Sequence, residues 1–239
     1  MKTKILITAL FCTCLFNSAK AQSVQVIYET QPQMQMKIDG LDESFIDQIR
    51  KSTKIRNILC YNNGESVYKT MKNEDGNSSS GIKIMTSASE DVTYRNHKTN
   101  KEIAYKDFFG KGFLIESELG KDGKWEITDS TKDIHGYTCK KAISKSDKQE
   151  TVVWFCPNLP IKDGPLYTGL DGLVLEMTTN NLSIVAKEII SSDADCQITA
   201  PKKGKKISKE EFDKMVEKRM KAMEQTSGDG GGMVIKIMR

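Results

Sequence analysis

Apolar and polar residues alternate along most of this chain. Val24, Val26 and Tyr28 stand at a spacing of two, with polar Gln25 and apolar Ile27 between them, and Met34, Met36 and Ile38 continue the alternation. That period of two predicts one long strand over residues 24–38, interrupted at Pro32. Residues 41–52 are more polar and read as a helical turn or a loop. Strand-like runs over 55–61 and 66–71 flank Asn62-Asn63-Gly64, a hairpin signal, because Asn and Gly tolerate positive φ. A polar loop follows over 73–81, then shorter strand patterns over 82–85, 92–96 and 102–109. Residues 113–119 run through a turn at Gly120-Lys121-Asp122-Gly123 into 125–128. Two more hairpins are expected, from 136–143 with 151–156 and from 173–179 with 183–190 around Asn180-Asn181.

One helix is expected, over 208–225. Ser208 and Glu211 have capping-box spacing, and Phe212, Met215, Val216, Met220 and Met223 form an apolar stripe. The glycine run at 228–232 ends it, and 233–238 could pair as an edge strand. Many short strands and one late helix predict a mainly β fold, a curved antiparallel sheet with a half-barrel of the lipoprotein-carrier kind as its form, and a C-terminal helix.

The first residues follow another pattern. Lys2 and Lys4 precede an apolar run over 5–16, and Ala19-Lys20-Ala21 is a small-x-small cleavage signal. This order reads as a secretory signal peptide over 1–21, with a mature start at Gln22. The run is shorter than the ~20 residues a membrane-spanning helix needs, and no transmembrane span is expected in the mature chain. The expected division is a signal peptide over 1–21, an antiparallel β domain over 22–200, and a C-terminal helix with a Gly-rich tail over 201–239.

Maturation changes the charge picture. Losing Lys2, Lys4 and Lys20 from 36 basic residues leaves 33 against 32 acidic, a net of +1. A nucleic-acid partner is therefore not expected, since such binders need a basic surface. Charge is uneven, with 11 basic and 6 acidic residues over 201–239. A solvated helix explains this; contact of the basic helix with a membrane surface is a secondary expectation.

The stretch from Trp125 to Glu176 contains Ile134-His135-Gly136-Tyr137, Val153-Trp154-Phe155, and Pro160-Ile161 followed by Gly164-Pro165. It ends in Gly169-Leu170-Asp171-Gly172-Leu173-Val174. This resembles the GLPGLI family of exported bacterial envelope proteins, with Asp171 where the family motif has proline and Val174 where it has isoleucine. The resemblance implies an exported protein of unknown biochemical function and supplies no activity. Physically, Pro160, Gly164, Pro165, Gly169, Asp171 and Gly172 are turn chemistry, and Leu170, Leu173 and Leu175 are apolar anchors. The motif is expected to fold a loop back on the sheet and launch the next strand.

Four cysteines outlast maturation: Cys60, Cys139, Cys156 and Cys196. In an oxidising compartment they suggest disulfides. A turn around Asp147-Lys148 sets Cys139 opposite Cys156, Lys141 opposite Trp154 and Ile143 opposite Val152. Opposed strand residues are within disulfide reach, so Cys139–Cys156 is expected, with Cys60–Cys196 as the other pair.

Catalytic signals are sparse. His97 and His135 are the two histidines, and neither sits in a His-Glu-x-x-His motif. There is no Gly-x-Ser-x-Gly elbow and no phosphate-binding glycine loop, and Asp129, Asp133, Asp163 and Asp171 read as solvated loop acids. No catalytic, cofactor-binding or metal residue is assigned, and no cofactor is expected. The leading expectation is a non-enzymatic, periplasmic or secreted module for an apolar ligand or an envelope protein partner. Its alternatives are an exported hydrolase whose catalytic residues no motif marks, and a structural partner of an outer-membrane complex. A Ser or carboxylate converging with a histidine beside a pocket would favour the hydrolase; a dry apolar groove would favour the carrier.

Overall fold

The computed structural model describes residues 23–33, 54–71, 90–120, 124–145, 150–165, 169–191 and 196–226. The signal peptide, the patterns over 34–38, 41–52, 73–81 and 82–85, the turns at 121–123 and 147–148, and residues 228–238 lie outside them.

Twelve strands form one sheet among the described residues. They are β1 (Val24–Pro32), β2 (Ile55–Asn62), β3 (Glu65–Thr70), β4 (Val92–Asn96), β5 (Lys101–Phe108) and β6 (Lys111–Glu118). Then come β7 (Glu126–Ile134), β8 (Tyr137–Lys145), β9 (Glu150–Cys156), β10 (Leu173–Thr179), β11 (Leu182–Ser191) and β12 (Lys205–Ile207). The spatial order is β12-β6-β5-β4-β3-β2-β1-β11-β10-β9-β8-β7. The sheet is open, and every pairing is antiparallel except β12 on β6. The expected mainly β class with a C-terminal helix is what the chain adopts.

That order is two meanders joined along one seam. Strands β2 to β6 each pair with their sequence neighbours, and so do β7 to β11. β1 holds the middle, pairing with β2 on one side and with β11, far along the chain, on the other. Its alternation does what the sequence suggests: Val24, Val26 and Tyr28 are buried. The tight turns have local causes. Asn63 and Gly64 both have positive φ, as a two-residue turn matching the strand twist requires. The turns at Phe109-Gly110 and His135-Gly136 have the same left-handed pair.

Three devices fasten the seam. The Tyr28 hydroxyl donates to the Val174 carbonyl at 2.6 Å, and its ring meets Tyr68 edge-on. A disulfide joins Cys60 on β2 to Cys196 just past β11. From Cys196 the chain reaches the far edge, where Lys205–Ile207 pairs with Phe113, Leu114 and Ile115 of β6. β12 leads into helix α1 (Lys209–Thr226). Its capping box is closed: the Glu211 amide donates to Ser208 Oγ at 3.1 Å and the Ser208 amide to Glu211 Oε2 at 3.2 Å. Phe212 packs edge-on against Phe108 and Phe113, seating α1 on β5 and β6. No helix among the described residues is long and apolar enough to cross a membrane.

The second expected disulfide is not present. The β8–β9 register is the expected one, with Lys141 opposite Trp154 and Ile143 opposite Val152. Yet Cys139 and Cys156 are unbonded and buried. Register brings the two backbones together but does not choose the rotamers. The Cys139 thiol turns to the Tyr137 carbonyl at 3.5 Å. Burial, with Cys156 nearby, pushes that thiol up to about 11, so it stays protonated at neutral pH.

The Cys60–Cys196 bond closes a loop of 136 residues across the seam. Replacing both with alanine should lower stability by about 5 kcal/mol in the chain-entropy picture. Urea unfolding of the two forms measures it, and coincident midpoints would contradict a stabilising seam bond.

Candidate functional site

The β9–β10 connection carries the Pro160 to Leu173 motif, and its placement builds the site. On a flat sheet β10 and β4 would stand five strand spacings apart, about 24 Å. The connection reaches β4 through Asp163, so the loop crosses between the two halves of the sheet. Asp163 is the anchor. Its Oδ1 accepts from Arg95 Nη1 at 2.7 Å and from the Gly164 amide at 2.7 Å. Its Oδ2 accepts from Ser66 Oγ and, at 3.0 Å, from His97 Nε2. An ionised carboxylate can only accept, so Nε2 of His97 carries a proton here.

Arg95 lies on β4 with 1% of its side chain exposed. Besides Asp163 it reaches Glu102 Oε2 through Nε at 2.9 Å and the Gly164 carbonyl at 2.8 Å. Burial works to raise the Asp163 carboxyl, but Arg95 and the hydrogen bonds from His97 and Ser66 outweigh it. They hold the group below its ordinary value of 3.8. Burial works against the Arg95 charge as well, and Asp163 and Glu102 more than restore it. The ion pair is therefore charged and buried, with Asp163 taking four donors and Arg95 making four hydrogen bonds.

Asp163 thus departs from the solvated loop acid expected of it. Ser66, Arg95 and Glu102 escaped the sequence reading altogether. A signal was available: β4 alternates, yet its buried face is Thr93 and Arg95, so that face carries a charge inward. His135 is an exposed turn residue, as expected, with Nε2 2.8 Å from the Ala186 carbonyl.

The rest of the motif behaves as a clasp. Leu170 and Leu173 are buried, Ile161 joins the same core, and the Val174 amide donates to the Asp163 carbonyl at 2.9 Å. Gly164 and Pro165 present carbonyls to Arg95. Gly169 has φ +104, a glycine conformation. A Cβ at Gly172 would collide with the Cys156 carbonyl and stand 3.0 Å from Pro157 Cα. Asp171 is exposed and pairs with Lys162.

Beside this network lies an open cleft of about 600 Å³ at one end of the sheet. One side is Tyr61, Asn63 and Gly64 of the β2–β3 hairpin with Lys98 from the β4–β5 turn. The other is Tyr137 at the start of β8 with Leu159 and Pro160 of the clasp. The Tyr61 ring stands 6.0 Å from that of His97, linking cleft to network. Burial raises the Tyr61 phenol, keeping it a neutral hydroxyl. The arrangement is not a nucleophilic triad. Ser66 and His97 both bond the same carboxylate, and Ser66 is wholly buried. No group of three or more metal-ligating side chains occurs among the described residues.

The chain is thus an open antiparallel sheet with a cleft at one end beside a buried ion pair. A family model described as "N-glycanase peptide, N-terminal domain" matches residues 61–218, well over half of the chain, and the chain belongs to that family. Two solved structures, of PNGF-II in P21 and C2 crystal forms, share its fold at a TM-score of 0.56. They are 18% and 19% identical, and the match covers 83% of this chain. It takes in only 34% and 33% of theirs, so the chain spans about a third of those relatives' length. No curated protein matches it.

These findings overturn the GLPGLI resemblance. It was drawn from the stretch Trp125 to Glu176, with its signature in the glycines, prolines and leucines of residues 160–174. Here those residues serve a loop crossing and a strand entry, a requirement that unrelated sheets share. The apolar-ligand module falls with it. The cleft is not a dry apolar groove, because Tyr61, Asn63, Lys98, Tyr137 and Ser191 line it beside a titratable cluster. The hydrolase alternative fits better.

Asp163→Ala would leave Arg95 buried without its main counter-charge, and should cost about 3–5 kcal/mol in urea unfolding. Because the folded carboxyl lies below its ordinary value, its contribution is present above about pH 4 and lost as pH falls through the folded value. Asp163→Asn should flatten that acid limb of the stability profile; an unchanged limb would contradict the assignment. Leu173→Ala should cost about 2–5 kcal/mol and Gly172→Ala about 1–3 kcal/mol by the same measurement. Wild-type melting of Leu173→Ala would remove the clasp reading.

Proposed function

We propose that this chain serves the hydrolytic removal of N-linked glycans from glycoproteins, as a substrate-engaging domain of the N-glycanase type. Membership of the N-glycanase N-terminal domain family carries the reading. The geometry supports engagement rather than bond cleavage by the Asp163 cluster. Its carboxylate is saturated by four donors and held ionised, which suits a brace and not an acid–base pair. The cleft, by contrast, is open and combines Tyr61, Tyr137, Asn63, Ser191 and Lys98 with the apolar Val24, Leu159, Pro160, Ile161 and Ile189, a mixture of polar groups and apolar surface suited to a ring-shaped ligand with hydroxyls. The leader-like residues 1–21 belong to the same proposal: an exported protein, periplasmic or secreted, meeting glycoproteins outside the cytoplasm.

Binding of the purified chain to an N-glycosylated protein and to the same protein stripped of glycan tests this by biolayer interferometry. The glycosylated form should bind at least tenfold more tightly. Equal binding to both forms would overturn the reading.

A further inference from the structure

The cleft is lined by one lysine and, among the described residues, by no carboxylate. Lys98 is exposed at the β4–β5 turn and makes no ion pair among the described residues. Its chain lies over the β2–β3 turn: Cγ and Cε would each be 3.3 Å from a Cβ at Gly64, so glycine leaves room for the lysine there. Lys101 and Lys132 on the same sheet pair with Glu116 and Glu176. No carboxylate lines the cleft among the described residues. The nearest acid of the network, Asp163, is buried with both oxygens taken. Lys98 thus lines the cavity without a carboxylate partner among the described residues, in company with Tyr61 and Tyr137 and with Val24, Leu159 and Ile189.

We infer that the cleft is a subsite for a carboxylated sugar, its ring held against Tyr61 and Tyr137 and its carboxylate paired with Lys98. The ammonium and the carboxylate make a charge-assisted hydrogen bond, which a neutral sugar cannot supply. Asn63 and Ser191 offer an amide and a hydroxyl to the remaining ring hydroxyls. The sugar class rests on the glycoprotein reading above; the preference for an acid rests on the lysine alone.

Titration of the full chain with N-acetylneuraminic acid and with neutral N-acetylglucosamine, followed by saturation-transfer NMR, tests it. The acid should bind about tenfold or more tightly, and the advantage should shrink with added salt. Lys98→Gln should erase the advantage without shifting the melting temperature, Lys98→Arg should keep most of it, and Tyr137→Ala should weaken both sugars. Equal affinity for the two sugars, or an acid preference that survives Lys98→Gln, overturns the inference. Glycoprotein binding that is intact in Lys98→Gln and Tyr137→Ala also overturns it while leaving the glycoprotein reading standing. A wild-type chain that binds neither sugar nor glycoprotein overturns both.

Discussion

The buried pair of Arg95 and Asp163 is the constraint on which the site depends. Each charge has left water, a loss that only near-complete compensation makes tolerable. Compensation is what the structure provides. Asp163 receives four donors, while Arg95 has two carboxylates and the carbonyls of Gly164 and Pro165. Because Asp163 belongs to the β9–β10 connection and Arg95 to β4, one interaction fixes the loop across both halves of the sheet. Moving the loop would break several charge-assisted bonds at once, so the clasp is held to one register. The Leu170 and Leu173 contacts add non-directional burial to that directional lock.

The cleft inherits its shape from this arrangement. One side comes from hairpin turns of the β2–β6 meander, the other from β8 and the clasp of the β7–β11 meander. Neither half would hold the cleft by itself. His97 touches both systems, bonding Asp163 through Nε2 while its ring faces Tyr61. A change at Tyr61 is thus two contacts away from the buried carboxylate. The Asp163 network spends its hydrogen bonds on geometry, while the cleft beside it is lined by tyrosines, an amide, a lysine and apolar residues.

Much of the sheet was legible in the chain because its information is local. Asn63-Gly64 specifies its own turn, Ser208 and Glu211 specify a helix start, and the alternation of Val24, Val26 and Tyr28 specifies a strand. Even the β8–β9 register followed from the placement of one turn. What escaped is long-range. Arg95 and Asp163 are 68 residues apart, and nothing near either announces the other. β12 is three residues long and pairs in parallel with a strand some ninety positions earlier, too short to show a period. The motif at 160–174 was legible as a loop folded onto the sheet but not as a family label, since turn chemistry is dictated by backbone geometry that many folds need. Cysteine spacing gave backbone proximity, but the two thiols stay free, that of Cys139 donating to the Tyr137 carbonyl.

The place of β1 in the sheet has a kinetic consequence. β1 is the first described strand in the chain and a central strand in space, and one of its two partners, β11, is among the last. The meanders on either side close through neighbouring hairpins, so each can form by short-range steps. Their union waits on contacts separated by more than a hundred residues, the kind that slow a β protein most. A chain emerging amino-end first would therefore present β1 with one edge satisfied and the other bare until residues 182–191 arrive. During that interval Val24, Val26 and Tyr28 stand next to an unpaired edge, the exposure that invites association between copies. The seam is thus the point of greatest vulnerability before it becomes the middle of the finished sheet.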